Sequence, residues 1–437
     1  MSRCLGLDLG STSIKAAVLD LDSGGVERIV SRPFPAPTCP RPGWFEIDAE
    51  EVARLSRELL TELLAAAPDC NRLLTCGQMG GLVLVDRSGK ARSPYYSWRD
   101  QRVLDRHSSG ETSLDRLRKR LSEADLMAIG REFRAGSTIT LLSWLVETGH
   151  APANDLFPVT LVDAVVARLC ETEPVTEPTQ ALGLLDLATR QWHAPLFEAA
   201  GVGRIARPFV GTINDVVGVF RAGSSQLDCH PAVGDQQAAL VGVGLEEEEL
   251  SVNCSTGSQV SRIATSFQPG DYQIRPYFGG RLLNTLTQLP AGRSLNVLVD
   301  LLTELARAEG IALRRVWETI ANDSARPPVE ELDVDLAFFS GAMGDHGHIR
   351  QITTENLSVG SVFRAAFRNM AENYRVCADR VSAGKPWRRA VLSGGLTNKL
   401  PVLREMIASR LETPVRGGQE AEEVFLGLLR LARGDER

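Results

Sequence analysis

Nowhere in its 437 residues does this chain carry an uncharged apolar run near the roughly 18 residues that cross a bilayer, so no membrane span is expected. Positive charge is not in excess either. The 48 Lys and Arg are outnumbered by 55 Asp and Glu, a net charge of −7, which leaves no basic field to attract nucleic acid. The Arg-rich patches at 116–120 and 430–437 have acids in or beside them and read as solvated helix faces. Cysteine is sparse and scattered, at positions 4, 39, 70, 76, 170, 229, 254 and 377. None forms a CxxC pair, and no Cys/His cluster has zinc spacing. Reduced thiols behaving as small buried hydrophobes in a cytoplasmic protein are the expectation. The first apolar run is interrupted by Asp8, unlike the core of a signal peptide. Short-period repeats and low-complexity tracts are missing too, which argues against a solenoid or a disordered tail.

What is there is the composition of a soluble globular protein, 43% hydrophobic and 24% charged. A chain of this length suggests two or three domains and can bury a large core without staples. Two apolar runs, 5–9 and 14–19, flank a corner made of Gly10, Ser11, Thr12 and Ser13. That pattern predicts a β-hairpin whose corner offers backbone N–H groups and three hydroxyls, a candidate phosphate cradle. Asp8 precedes the corner by two residues. A carboxylate beside a phosphate cradle makes sense with a cation between them, and Mg²⁺ prefers such oxygen ligands. An ordinary hairpin with a polar turn is the plainer reading.

Beyond the hairpin, a third strand is expected over 26–34. A helix capped by Asp48, with Glu50 and Glu51 in its first turn, is expected through about residue 66. Strands over 73–76 and 82–85 follow, then helices over 113–128, 138–147, 163–170 and 192–200. Residues 208–223 are Gly/Val-rich and read as a seam, dividing the chain into domains 1–225 and 226–437. The second half opens on Gly234 and Asp235 entering an apolar helix. The acids 246–249 read as a solvated turn. Residues 250–263 then repeat the opening design, an apolar strand, a corner with Ser255, Thr256 and Gly257, and a second apolar strand. Further strands are expected over 282–289, 389–392 and 414–416, and helices over 295–308, 359–382, 401–411 and 421–432. Strands and helices in alternation predict α/β layers. One corner near the start of each half suggests two related domains gripping one nucleotide across a cleft.

At this point the chain resembles the FGGY carbohydrate kinases over nearly its full length. The segment from Asp8 to Lys15 resembles that family's first phosphate motif, and 76–81 its sugar-contacting SGQMHG segment. Trp98 to Arg102 resembles the W-x-D-x-R loop and Gly234 to Ala238 the G-D-x-x-A segment. Asn253 to Gly257 resembles the second phosphate motif and Ser393 to Asn398 the adenosine motif. The motifs stand in the family's order. The pattern is most similar to ketose kinases, sedoheptulokinases and xylulokinases, and the Ser255 before Thr256 resembles the former. Three departures stand out. Gly80 replaces the usual His, the G-E-R-x-P loop has no clear counterpart where residues 340–348 fall, and the chain is short for the family.

The resemblance implies an α/β fold of two actin-like (ribonuclease-H-like) ATPase domains with a cleft between them, an N-terminal sugar-binding and a C-terminal nucleotide-binding one. It implies ATP and Mg²⁺ as cofactors and a sugar as the small-molecule partner. A homodimer is compatible with it, and the sequence does not fix the oligomeric state. Asp235 is implied as the base, although spacing alone reads as a helix cap. Asp8 is implied on the metal, through water. Gly10, Ser11, Thr12 and Ser13 would meet the phosphates from one side, and Ser255, Thr256 and Gly257 from the other. Gly394 and Gly395 would let adenine lie against the backbone, with Asn398 at its edge. Gln78, Met79, Trp98 and Asp100 would line the sugar pocket with Asp235. For Trp98, Asp100 and Arg102 a local ion pair on a Trp platform is an equal reading. Lys15 is left out, since strand alternation can point it to solvent. His346 and His348 read as a surface loop rather than a metal site. The expected activity is phosphate transfer from ATP to a ketose hydroxyl. A kinase for another sugar or polyol, a regulator that binds without transfer, and an ATPase acting on protein remain open.

Overall fold

A computed structural model describes residues 2–327, 330–418 and 422–435. The same strand plan occurs twice. In the first sheet, Arg3–Leu9 and Ser13–Asp20 form an antiparallel hairpin, Gly25–Pro33 extends it antiparallel, and Arg72–Gly77 lies parallel to Arg3–Leu9 on the other side. Ser225–Cys229 runs parallel to Arg72–Gly77 beyond. In the second sheet, Glu249–Asn253 and Ser258–Ala264 form the hairpin, Leu282–Leu289 extends it antiparallel, and Arg389–Ser393 lies parallel to Glu249–Asn253, followed by parallel Val415–Gly417. Each hairpin carries one of the Ser/Thr/Gly corners, so both corners lie at the carboxyl end of their sheet's first strand.

Why the opening strands read as continuous apolar runs is now plain: both faces of the sheet are covered. Leu5, Leu7 and Leu9 face helices Ala49–Ala66 and Leu161–Cys170, together with Ile14, Ala16 and Val18. Cys4, Ala17 and Leu19 face the other way, against helices Asp235–Gly242 and Glu423–Arg433. Gly6 leaves room for that second layer, since a Cβ there would sit 3.0 Å from Phe425.

Helices Asp235–Gly242 and Glu423–Arg433 cross at backbone contact distance. A Cβ at Gly242 would strike the Glu423 carbonyl, and one at Gly427 the Ala238 carbonyl. Gly427→Ala is therefore expected to lower stability by about 1–3 kcal/mol through overpacking, read as a shifted urea midpoint. Arg433 reaches across to the Leu21 carbonyl at 2.7 Å, and Arg430 to the Val241 carbonyl at 2.8 Å.

Strands Ser225–Cys229 and Val233–Gly234 both pair parallel with Arg72–Gly77 in the first sheet. Several sequence expectations change here. The helix expected over 113–128 is two, Ser113–Lys119 and Glu123–Ala128, because Ser122 and Asp125 form a capping box that starts a second helix. Glu249 is not part of a solvated turn. It opens a strand, 1% exposed, and accepts from Arg389 at 2.5 Å and Arg416 at 2.6 Å. Arg430 is half-buried and bonded to backbone, Arg433 is exposed as expected while also bonded to backbone, and Glu436 and Arg437 lie outside the described residues, as does Ala421 of the last expected helix. The described cysteines are free thiols, most of them buried. Among the described residues, no helix is long and apolar enough to cross a membrane.

Candidate active site

Asp8 stands near the end of the first strand, opposite Lys15 across the hairpin and Cys76 across the parallel pair. Cys76 Sγ donates weakly to its Oδ1 at 3.8 Å. Burial, then the charge of Asp235, pushes the Asp8 carboxyl up to about 7, and Lys15 partly offsets this. Lys15 is not turned to open solvent: its Nζ lies 3.3 Å from Glu422, the residue before the last helix. At the corner, Ser11 and Ser13 are half-buried and Thr12 is exposed, and among the described residues their hydroxyls have no hydrogen-bond partner.

The second corner is fastened to the turn after Arg389–Ser393. Cys254 N–H donates to the Ser393 carbonyl at 2.8 Å and Leu396 N–H to the Cys254 carbonyl at 3.1 Å. Gly394 has φ +89°, and a Cβ there would collide with the Cys254 carbonyl, so only glycine lets the turn lie this close. Cβ atoms at Gly257 and Gly395 would meet nothing within 4 Å. Open space thus adjoins both the corner and the Gly-Gly turn. Ser255 Oγ donates to the Gly257 carbonyl at 3.3 Å, Thr256 is exposed, and Asn398 is exposed on the short helix Gly395–Lys399.

Asp235 is the first residue of its helix, with Gly234 as the cap residue. Its Oδ1 accepts from its neighbour Gln236 N–H at 2.7 Å. Burial pushes its carboxyl up to about 6, held back by that N–H and by the Arg275 guanidinium. Both acids are thus poorly solvated, and the charge of Asp235 disfavours that of Asp8. A divalent cation with its own waters would relieve that repulsion, and the donor chemistry of Asp8 suits Mg²⁺. Among the described residues no group of three or more His, Cys, Asp or Glu could hold a metal, so phosphate and water oxygens would complete the shell. His346 pairs with Asp345 at 2.6 Å, whereas His348, expected on a surface loop, pairs with Asp333 at 3.1 Å within a small two-stranded sheet.

The residues expected on the sugar side divide. Gln78 is buried, and its amide ties the sites together, donating to the Gly10 carbonyl at 3.5 Å and accepting from Tyr95 at 3.2 Å. Tyr95 Oη in turn accepts from Trp98 N–H at 3.3 Å. Met79 Sδ lies where a Cβ of Gly234 would be, so it packs beside Asp235. Gly80 has φ +79°, a backbone conformation that glycine adopts without strain and a histidine would not. Its neighbour Gly81 receives the loop 134–137, donating to the Gly136 carbonyl at 2.8 Å.

Asp100 is not presented to a sugar. Its side chain is 0% exposed, and both oxygens are taken, by Arg102 and by the N–H groups of Phe45 and Arg102. Arg102 is itself enclosed by Trp44 at 4.3 Å, Tyr96 at 4.4 Å and Trp144 at 5.0 Å. This is the local ion pair on an aromatic platform, and it fixes the loop that carries Trp98, which remains half-buried.

Sequence reasoning missed a buried chain of polar groups beside Asp235. Glu132 accepts from Arg275 Nε, and Arg275 Nη1 donates to Gln236 Oε1, with Glu132 2% and Arg275 3% exposed. Gln236 Nε2 donates on to Ser261 Oγ at 3.2 Å. Glu132 and Arg275 stand 143 positions apart, and no local signal links them.

Comparison with known proteins agrees with this architecture. The model for the N-terminal domain of the FGGY family of carbohydrate kinases matches residues 3–242. A xylulose kinase of Lactococcus lactis is 27% identical, the match covering 68% of this chain and 61% of that protein. Mouse sedoheptulokinase is 23% identical across 99% of this chain and 97% of its own length. An autoinducer-2 kinase of Yersinia enterocolitica is 26% identical across 55% of this chain, and the match spans only 47% of that relative. Among solved structures, the xylulose kinase of Rhodospirillum rubrum superposes with TM-score 0.84 at 20% identity, covering 99% of this chain and 90% of that one. The glycerol kinase of Plasmodium falciparum with ADP gives 0.81 at 15% identity, covering 99% and 89%. At those identities the superpositions show the fold, two actin-like domains, and the matched model shows the rest: this chain belongs to the FGGY family of carbohydrate kinases.

Proposed function

We propose that the protein transfers the γ-phosphate of ATP to a hydroxyl of a ketose related to xylulose or sedoheptulose. The observation that carries the reading is the pair of buried, raised carboxyls, Asp8 on the strand that leads into the first Ser/Thr/Gly corner and Asp235 at its helix start, in a fold that repeats that corner with open space beside Gly257. Phosphoryl transfer asks the protein for positioning and charge stabilisation more than covalent work. Asp235 Oδ takes the hydroxyl proton as the sugar oxygen bonds to the γ-phosphorus. The bond to the bridging oxygen breaks, and that oxygen leaves as part of ADP. A carboxyl raised to about 6 is ionised at neutral pH yet basic enough to accept that proton. Ser11, Thr12, Ser13, Thr256 and Gly257 hold the phosphate oxygens, and Gly394, Gly395 and Asn398 take the adenosine. Asp8 would hold Mg²⁺ through water, and the ion when bound would spread negative charge on the phosphates. Gln78, Met79 and Trp98 face the sugar, and Asp100 acts through the loop it fixes. Closure of the cleft keeps water from competing with the sugar hydroxyl.

ADP release with MgATP across a panel of ketoses, aldoses and polyols tests this reading. Sugar-dependent release highest with a ketose is the expected result. Tight ATP binding with no release on any sugar would replace it with a non-transferring regulator, and equal release without sugar with a protein-directed ATPase.

A further inference from the structure

Beside the proposed sugar pocket, the Arg134 guanidinium makes no hydrogen bond among the described residues. Arg134 lies on the loop that packs against both sugar-side segments. Gly136 on that loop has φ +73° and lies so close that a Cβ would strike the Trp98 carbonyl, while its own carbonyl accepts from Gly81 N–H at 2.8 Å. At the other end, the Gly130 carbonyl accepts from Ile274 N–H at 2.9 Å, on the strand that carries Arg275. The loop thus runs from the Arg275 strand to the Trp98 and Gly80 turns.

Which way Arg134 faces follows from its neighbours. Phe133 and Ala135 pack against the helical core around Leu117 and Leu142, so the residue between them turns to the other side. There its Nε lies 3.9 Å from Glu132 Oε2, beyond hydrogen-bond range, with the side chain 29% exposed. Glu132 already serves Arg275, which reaches Gln236 beside the base. A guanidinium carries five N–H donors in a planar fork, and leaving them idle in a half-closed site is costly. Across the same turn, Gly80 contributes no side chain.

We propose that Arg134 is a substrate-binding residue that donates its fork to two adjacent oxygens of the sugar, supplying a polar contact that Gly80 cannot. The inference rests on the sugar-kinase reading and deepens it. The oxygen pair is the carbonyl and neighbouring hydroxyl of an open-chain ketose or the carboxylate of an aldonate, both of which match a planar donor pair.

Steady-state kinetics of the wild type, Arg134→Gln and Arg134→Lys with MgATP, over ketoses and aldonates, test it. Arg134→Gln is expected to raise the sugar KM about ten- to a hundredfold, the loss of hydrogen bonds from a charged donor, with the ATP KM unchanged. Arg134→Lys should fall between, keeping the charge but not the fork. A greater loss with aldonates assigns the carboxylate, and a greater loss with ketoses the carbonyl pair. A sugar KM within about twofold of wild type in Arg134→Gln, or an equal rise in the ATP KM, overturns the inference alone. A wild type that phosphorylates no sugar overturns the kinase reading and the inference with it.

Discussion

Asp235→Ala is expected to lower the turnover of sugar phosphorylation by about 10²–10⁴-fold while ATP still binds. The size follows from what the carboxylate does. It stands in the first turn of its helix and accepts only from the next N–H, so its removal costs the helix one such bond and, on the proposed reading, costs the reaction its proton acceptor. Isothermal titration with ATP and a coupled ADP assay on the same preparation separate the two effects. Near-normal turnover in Asp235→Ala would sink the base assignment. The same group predicts a pH profile. Asp235 accepts a proton only when ionised, and its carboxyl is raised to about 6, so kcat/KM should fall as pH drops through about 6. Were the base an unperturbed carboxylate, the fall would come about two units lower, near the ordinary Asp value.

The largest stability effect is expected at Glu132. Among the described residues it is the one carboxylate paired with Arg275, so Glu132→Ala leaves a guanidinium that is 3% exposed without its counter-charge. Breaking a buried pair by deleting one partner costs about 3–5 kcal/mol, because the remaining charge stays desolvated. Arg275 Nη2 already lacks a partner, so no spare acceptor takes over. Thermal and urea unfolding of Glu132→Ala should show this loss. The double change Glu132→Leu with Arg275→Met should recover most of it, since an apolar pair of similar volume removes the stranded charge. Equal stability of Glu132→Ala and the wild type would mean that water reaches the site. Because Arg275 also restrains the Asp235 carboxyl, the double variant should carry its kcat/KM fall to higher pH.

Much of the site is legible in the amino-acid sequence because it is local. A strand, a Gly/Ser/Thr corner and a second strand are contiguous at 3–20 and again at 249–264, and each hairpin forms where that pattern predicts it. Asp48 caps its helix through bonds to the next two turn residues, and Val359–Ser382 and Pro401–Leu411 begin and end where cap and proline signals put them. The break at Ser122 is also local: its capping box with Asp125 stands in the sequence, and the longer apolar pattern hides it.

The sequence by itself determined the two repeated hairpins, their corners, the acid before the first and the acid at the helix start. Only the tertiary structure decided which polar side chains are free to meet a ligand. Asp100 matches a sugar-loop pattern, yet Arg102 and Phe45 occupy its oxygens and three aromatic rings close over the pair. Glu249 sits in an acidic run, yet Arg416, which follows it by 167 positions, draws it inside. Lys15 alternates outward along its strand, yet Glu422 comes to it from the far end of the chain. Arg134 looks like any loop cation until Phe133 and Ala135 are seen packed on the opposite side. The physical reason is the same in each case. Backbone geometry follows from residues within a few positions, whereas the partner of a charge is whatever element the fold brings against it, and burial makes that partner decisive.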